Sequence, residues 1–185
     1  MIKPVQLAHL VLRTSRYQEM LDWYKQVLNA TVTFGNEVLS FVTYDEEHHR
    51  VAFINIPDLK DSPLGTAGMD HIAFTYATLS DLLENYKRLK GKGITPFWCI
   101  NHGPTTSMYY RDPDKNQIEL QVENFATVAE STAFFYSDEF RENPIGVDFT
   151  PEDLMSRLAN GEPEEAVKRR PNIGPRTFSD GVPLG

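Results

Sequence analysis

One cysteine, Cys99, stands in the 185 residues of the chain. A single thiol excludes an internal disulfide framework and any cysteine-built zinc cage, so a metal here would have to be held by histidine and carboxylate. No apolar run approaches the roughly 20 residues needed to cross a bilayer. The opening MIKPVQLAHLVL also lacks the basic start and small-residue cleavage site of a secretory signal, so the expected location is cytoplasmic and no membrane partner is expected. A block of Lys and Arg is missing too: KRR at 168–170 is the densest stretch, acidic residues precede it, and the formal net charge is −8. A nucleic-acid surface needs clustered cations to displace phosphate counterions, so nucleic acid is excluded as a partner.

What is present is ordinary globular composition, 41% hydrophobic and 24% charged, so the fold must be read from pattern. The length suits one well-buried domain or two small modules sharing a core. Two segments open alike: LAHLVLR at 7–13 and MDHIAFT at 69–75, each a short apolar strand carrying one histidine. SRYQEMLDWYKQVLNA follows the first, with Met20, Leu21, Tyr24, Val27 and Leu28 at helical spacing behind a Ser15/Gln18 capping box. TLSDLLENYKRLKGKG follows the second, with Leu79, Leu82, Leu83, Tyr86 and Leu89 in the same relation and glycines to end the helix.

Both halves then run into β-rich sequence: ATVTFG, VLSFVTY and RVAFINI, against ITPFWCI, SMYYR and QIELQVE. The pattern is βαβββ twice, an α+β fold. Its modules span about residues 5–57 and 68–124 within a catalytic unit of residues 1–124, followed by an extension over 125–185. The ends of the halves align without a gap, SFVTYDEEHHRVAF under SMYYRDPDKNQIEL, which sets Asp45 under Asp112 at an offset of 67 residues. One such module leaves a sheet face uncovered, so two are expected to pair into a curved mixed sheet around a cleft.

Under this alignment His9 and His71 are equivalent, and Glu119 lies on the last strand of the second half. Either histidine alone would read as a core residue, and Glu119 as the solvent face of a strand. Together they form two imidazoles and a carboxylate, the donor set that leaves one face of Fe(II) open for substrate and O2. Mn(II) accepts the same donors. The position matching Glu119 in the first half is Ala52, which ligates nothing, so three donors leave about half an octahedral shell free.

At these residues the sequence resembles the vicinal oxygen chelate superfamily and, within it, the type I extradiol ring-cleavage dioxygenases. The resemblance covers about residues 5–124 and rests on the two histidine-bearing strands, on HHRVAF, on NHGP and, most specifically, on YYRDPDKNQIEL. It implies the glyoxalase/extradiol dioxygenase fold, with His9, His71 and Glu119 as ligands of Fe(II). It also implies active-site roles for Tyr109, ten residues before Glu119, for His102 beside Gly103, and for His49, with His48 the alternative to His49. The partners it implies are an aromatic diol and O2, with both oxygen atoms entering the ring-opened product; a homo-oligomer is compatible with it. Two rival readings stay open: a metal-dependent isomerase, epimerase or lyase on the same fold, and a metal-free protein that sequesters an aromatic drug.

In the extension, ENPIGVDF reads as an extended loop, Thr150 to Asp153 cap a short helix that Gly161 ends, and Glu162 to Arg170 supply another turn or two. PNIGPRTFSDGVPLG is too rich in Pro and Gly for regular structure. The extension is either a packing surface or a lid, the lid being the aromatic cluster of Phe134, Phe135, Tyr136 and Phe140.

Overall fold

The computed structural model describes residues 1–61 and 67–183; part of the stretch between His49 and His71, and the last two residues of the tail, lie outside it. The chain divides into two compact units, residues 1–66 with 112–116 and residues 67–111 with 117–185.

The first unit runs β1 (Leu10–Thr14), α1 (Tyr17–Val27), β2 (Thr31–Gly35), β3 (Leu39–Thr43) and β4 (Val51–Asn55). Its four strands lie in the order β1-β4-β3-β2, with β1 parallel to β4 and the other pairs antiparallel. Helix α1 buries Met20, Leu21, Tyr24 and Val27, the spacing expected of one apolar stripe, and the Tyr24 ring meets Phe53 of β4 edge-on at 5.1 Å. The Ser15/Gln18 capping box does not form. Ser15 donates its hydroxyl to the Leu59 carbonyl, Gln18 bonds Asp22, and Arg16 takes the N-cap position without a side-chain cap. The helix starts one residue later than the box requires, and the serine hydroxyl serves a tertiary carbonyl.

The second unit repeats the order with β5 (His71–Tyr76), α2 (Leu79–Lys90), β6 (Trp98–Asn101), β7 (Thr105–Arg111) and β8 (Gln117–Glu123). It continues through α3 (Val128–Phe134), α4 (Asp138–Glu142), β9 (Val147–Asp148), α5 (Pro151–Ala159) and α6 (Glu164–Val167). Its sheet runs β5-β8-β7-β6-β9. Helix α2 starts on Thr78, whose hydroxyl accepts from the Asp81 N–H, and buries all five apolar residues of the expected stripe. The βαβββ duplication is thus present, each copy having its own sheet. ENPIGVDF departs from the expected loop, because Val147 and Asp148 add a short antiparallel strand to the edge of β6. Helix α5 stops at Ala159 with Asn160 as its cap, and Gly161 follows. Phe134 and Phe140 lie on two short helices, the first opened by a Thr127/Glu130 capping box.

The turn at residues 112–116, which belongs to the first unit, shows why the DPDKN segment is specific. The Asp112 carboxylate accepts from the backbone N–H groups of Asp114 and Asn116 at 2.9 and 2.8 Å, from Asn116 Nδ2 at 2.8 Å and from the Tyr24 hydroxyl at 3.1 Å. Asp45 does a reduced version of this in the first half, accepting from the Glu47 N–H at 3.1 Å. Burial raises the Asp112 pKa, although its hydrogen bonds oppose the rise. Asp112→Ala orphans several of these donors at once and is expected to cost about 2–3 kcal/mol of unfolding free energy, measurable by urea titration. An unchanged urea midpoint would show that the turn does not depend on this carboxylate.

Candidate metal centre and active site

Four of the six residues singled out from sequence meet in the second unit. His71 is the first residue of β5 and Glu119 is the third of β8, two parallel neighbours in which Ala73 pairs with Glu119. His71 Nε2 lies 3.1 Å from Glu119 Oε2. On the other side of the ring, Nδ1 lies 2.6 Å from Asp70 Oδ1. A carboxylate on Nδ1 fixes the imidazole's orientation and tautomer and makes Nε2 the better ligand. Hydrogen bonding to Glu119 leads the causes that raise His71 to about 9. Burial pushes Glu119 up, yet its hydrogen bonds with His71 and Ser107 hold it below the ordinary carboxylate range. A buried carboxylate that stays ionised next to an oriented imidazole suits a divalent cation.

Tyr109 sits directly opposite Glu119 in the antiparallel β7–β8 pair, so the ten-residue spacing is a hairpin register. Its ring meets His71 edge-on at 5.3 Å and stacks on Trp98 at 5.0 Å. Burial, then the charge of Glu119, raises the Tyr109 pKa far above that of free tyrosine, so the hydroxyl keeps its proton and acts as a donor.

His102 follows β6, with Nε2 3.0 Å from the Tyr109 hydroxyl and Nδ1 2.5 Å from the Ile145 carbonyl. A carbonyl can only accept, so the proton sits on Nδ1 and Nε2 is left as the acceptor. Burial lowers the His102 pKa and keeps the ring neutral.

The loop that supplies Ile145 is tightly built. Asn143 Oδ1 accepts from the N–H groups of Ile145 and Gly146, and the Arg170 guanidinium donates to the carbonyls of His102 and Asn143. Gly146 has φ +123°, and a Cβ there would stand 2.4 Å from the Asn101 oxygen. Gly103 is equally constrained, since a Cβ would meet the Phe134 ring at 2.3 Å. Gly146→Ala is expected to lose about 1–3 kcal/mol of stability and to loosen the His102 anchor. Equal thermal midpoints for Gly146→Ala and the parent would contradict this.

His71, His102 and Tyr109 line a cavity of about 150 Å³ with Asp70, Gln117, Trp98, Pro144, Ile145 and the tail residues Phe178, Val182 and Pro183. None of the four aromatics of the lid alternative is in this lining. Phe134 instead packs on Phe125 and Phe140 and lies under the Arg170 guanidinium, while Phe135 packs on Phe140.

The other two residues meet in the first unit. His9 immediately precedes β1, and its ring centroid lies 4.3 Å from that of His49. His49 is buried and also stacks on Phe41 at 4.5 Å, whereas His48 is exposed. Burial, followed by the neighbouring His9, lowers the His49 pKa. Val11 pairs with Ala52 in β1–β4 as Ala73 pairs with Glu119 in β5–β8, so register confirms that Ala52 holds the place of Glu119. Among the described residues, no three His, Cys, Asp or Glu side chains are gathered closely enough to hold a metal by themselves. No helix among them is long and apolar enough to cross a membrane.

The family model of the Glyoxalase/Bleomycin resistance protein/Dioxygenase superfamily matches residues 6–120. The chain belongs to this superfamily. Within the superfamily it is 48% identical over 161 residues to biphenyl-2,3-diol 1,2-dioxygenase 2 of Rhodococcus globerulus, covering 86% of this chain and 85% of that one. It is 45% identical over 166 residues to biphenyl-2,3-diol 1,2-dioxygenase 3 of the same organism, covering 89% and 87%. A superfamily domain from Frankia sp. EAN1pec shares the fold at a TM-score of 0.55 with 16% identity, over 65% of this chain and 99% of that one.

Asp70 and Ile145 were not foreseen from sequence. An acidic residue before a histidine-bearing strand is a usable signal for the first, but a backbone carbonyl leaves none for the second.

Proposed function

We propose that the protein is an extradiol ring-cleaving dioxygenase that inserts both atoms of O2 into a catechol-type diol at a non-haem Fe(II) site. The observation that carries this reading is the 48% identity, over most of both chains, to a protein named for that reaction. The paired His71 and Glu119, with Tyr109 and His102 beside them, support it independently.

His71 and Glu119 are assigned as two ligands, and His9 as the third through its equivalence to His71 in the duplicated fold. Ala52, buried opposite Val11, offers no fourth donor. Fe(II), or Mn(II) in its place, would bind a diol and O2 and acidify the bound hydroxyls. His102, with Nδ1–H committed to Ile145, presents Nε2 to take a proton from a diol hydroxyl directly or through Tyr109. Once His102 carries that proton, its Nε2–H donates to the Tyr109 oxygen and leaves the Tyr109 hydroxyl free to donate to the deprotonated diol oxygen. His49 is assigned to hold and deliver the proton that an oxygen atom of O2 needs as its O–O bond breaks. Asp70 keeps the His71 ring aimed.

The test is the appearance of the yellow ring-fission product when anaerobically Fe(II)-loaded protein meets 2,3-dihydroxybiphenyl or catechol in air. Colour is expected. A protein that holds iron and turns over neither diol would shift the assignment to the isomerase and lyase branch, and one that binds aromatics equally well in chelator would shift it to sequestration.

A further inference from the structure

We infer that the C-terminal segment from Arg176 to Pro183 is a built wall of the active-site cavity and sets how well the protein accepts a second ring on its diol. This rests on the proposed ring-cleaving reading and adds the residues that choose the substrate.

The segment was expected to be irregular, and it has no helix or strand, yet it is fastened at several points. Arg176 makes a two-point contact with Asp148, Nη1 to Oδ1 at 3.0 Å and Nη2 to Oδ2 at 2.9 Å, and Nη1 also donates to the Gly146 carbonyl at 3.1 Å. The arginine side chain is only 11% exposed while its Asp148 partner is 55% exposed, so the arginine is seated and the pair lies at the rim. Asp148 belongs to the short strand β9 and also accepts from the Trp98 indole N–H at 2.9 Å. The anchor therefore ties the tail to the same tryptophan that stacks on Tyr109. Asp180 then closes a turn, accepting from the N–H and hydroxyl of Thr177. After that turn Val182 packs onto the buried cluster of Ile100, Tyr109 and Ile145, alongside Trp98.

The cavity has a mixed lining, in which the polar His71, His102 and Tyr109 join the apolar Trp98, Pro144, Ile145, Phe178, Val182 and Pro183. An aromatic diol is mixed in the same way, two adjacent hydroxyls on one edge and hydrocarbon on the other. Its hydroxyls belong at the His71 side, which sends the far edge of the ring towards the tail. About 150 Å³ is the size of a pocket that holds one benzene-sized ring. A second ring must therefore reach the rim, where Phe178 lines the cavity while leaving 65% of itself exposed. An aromatic side chain at that rim can stack on a second ring, and a single-ring diol gains little from it.

The experiment uses full-length Fe(II)-loaded protein as parent, Phe178→Ala and Arg176→Gln. It measures kcat/KM for 2,3-dihydroxybiphenyl and for catechol in air, and the dissociation constants of both under nitrogen. Phe178→Ala is expected to lower the biphenyl-diol-to-catechol ratio by about 3- to 10-fold in both measurements, the range of one lost ring contact. Arg176→Gln, which frees the whole wall, is expected to lower it at least as far. A ratio within twofold of the parent in both variants would overturn the inference while leaving ring cleavage intact. Binding of neither diol by the parent would overturn the reading of the site, and this inference with it.

Discussion

Glu119→Ala is expected to yield a folded protein that retains no stoichiometric iron and opens no diol ring. The carboxylate is the only anionic donor assigned to the metal, and Ala52 shows that no spare donor stands at the matching place in the first half. Loss of a mere outer partner of a ligand costs 10- to 100-fold in metal affinity, so loss of the ligand itself should exceed about 100-fold. The change also leaves His71 Nε2 and Ser107 without the partner they share. Metal analysis after gel filtration separates this outcome from misfolding when circular dichroism is recorded on the same sample. His9→Ala is expected to behave alike, and a His9→Ala protein that keeps stoichiometric iron and full activity would remove His9 from the ligand set.

Tyr109→Phe and His102→Gln should do the opposite, keeping iron and losing rate. Each removes one partner of the 3.0 Å contact between the Tyr109 hydroxyl and His102 Nε2, and neither residue is itself a proposed ligand, although the Tyr109 hydroxyl also bonds the Glu119 carboxylate. The loss expected is on the order of 100-fold in kcat for either, the usual worth of one positioned proton carrier or oxyanion donor. The sign of the pH dependence follows from His102. Burial depresses its pKa, so the acceptor on Nε2 survives to lower pH than an ordinary histidine would allow and is lost on the acid side only below that range. The acid limb of kcat/KM in the parent should therefore fall below pH 6.5, the ordinary histidine value, and an acid limb above it would show that His102 is not the acceptor. If either variant instead loses iron, the separation between holding metal and moving protons fails.

The duplicated fold was legible because the two copies write the same physics twice: an apolar helical stripe after a histidine-bearing strand, then three strands with an aspartate-built turn before the last. His71, Glu119 and Tyr109 were legible for a related reason, since strand register converts sequence spacing into adjacency across two neighbouring strands. What stayed hidden depends on partners distant in sequence. Ser15 has the chemistry of a cap and spends its hydroxyl on Leu59, 44 residues away. Strand β9 is two residues long and exists only because the edge of β6 is open to it. The aromatic run at 134–140 read equally as lid or packing surface, and Phe134 fills the space over Gly103 that no side chain at that glycine could share. The tail wall comes from a Pro- and Gly-rich segment whose order is supplied by Arg176 and Asp148, a pair that no local pattern announces.

Oxygen consumption distinguishes ring cleavage from every reaction that leaves O2 untouched. Fe(II)-loaded protein, freed of excess iron and given a limiting amount of 2,3-dihydroxybiphenyl in an oxygen-electrode cell, should consume one O2 for each diol converted to yellow product, with the iron still Fe(II) at the end. Conversion of the diol without oxygen uptake, or silence from fully iron-loaded protein across single-ring and two-ring diols, would contradict ring cleavage.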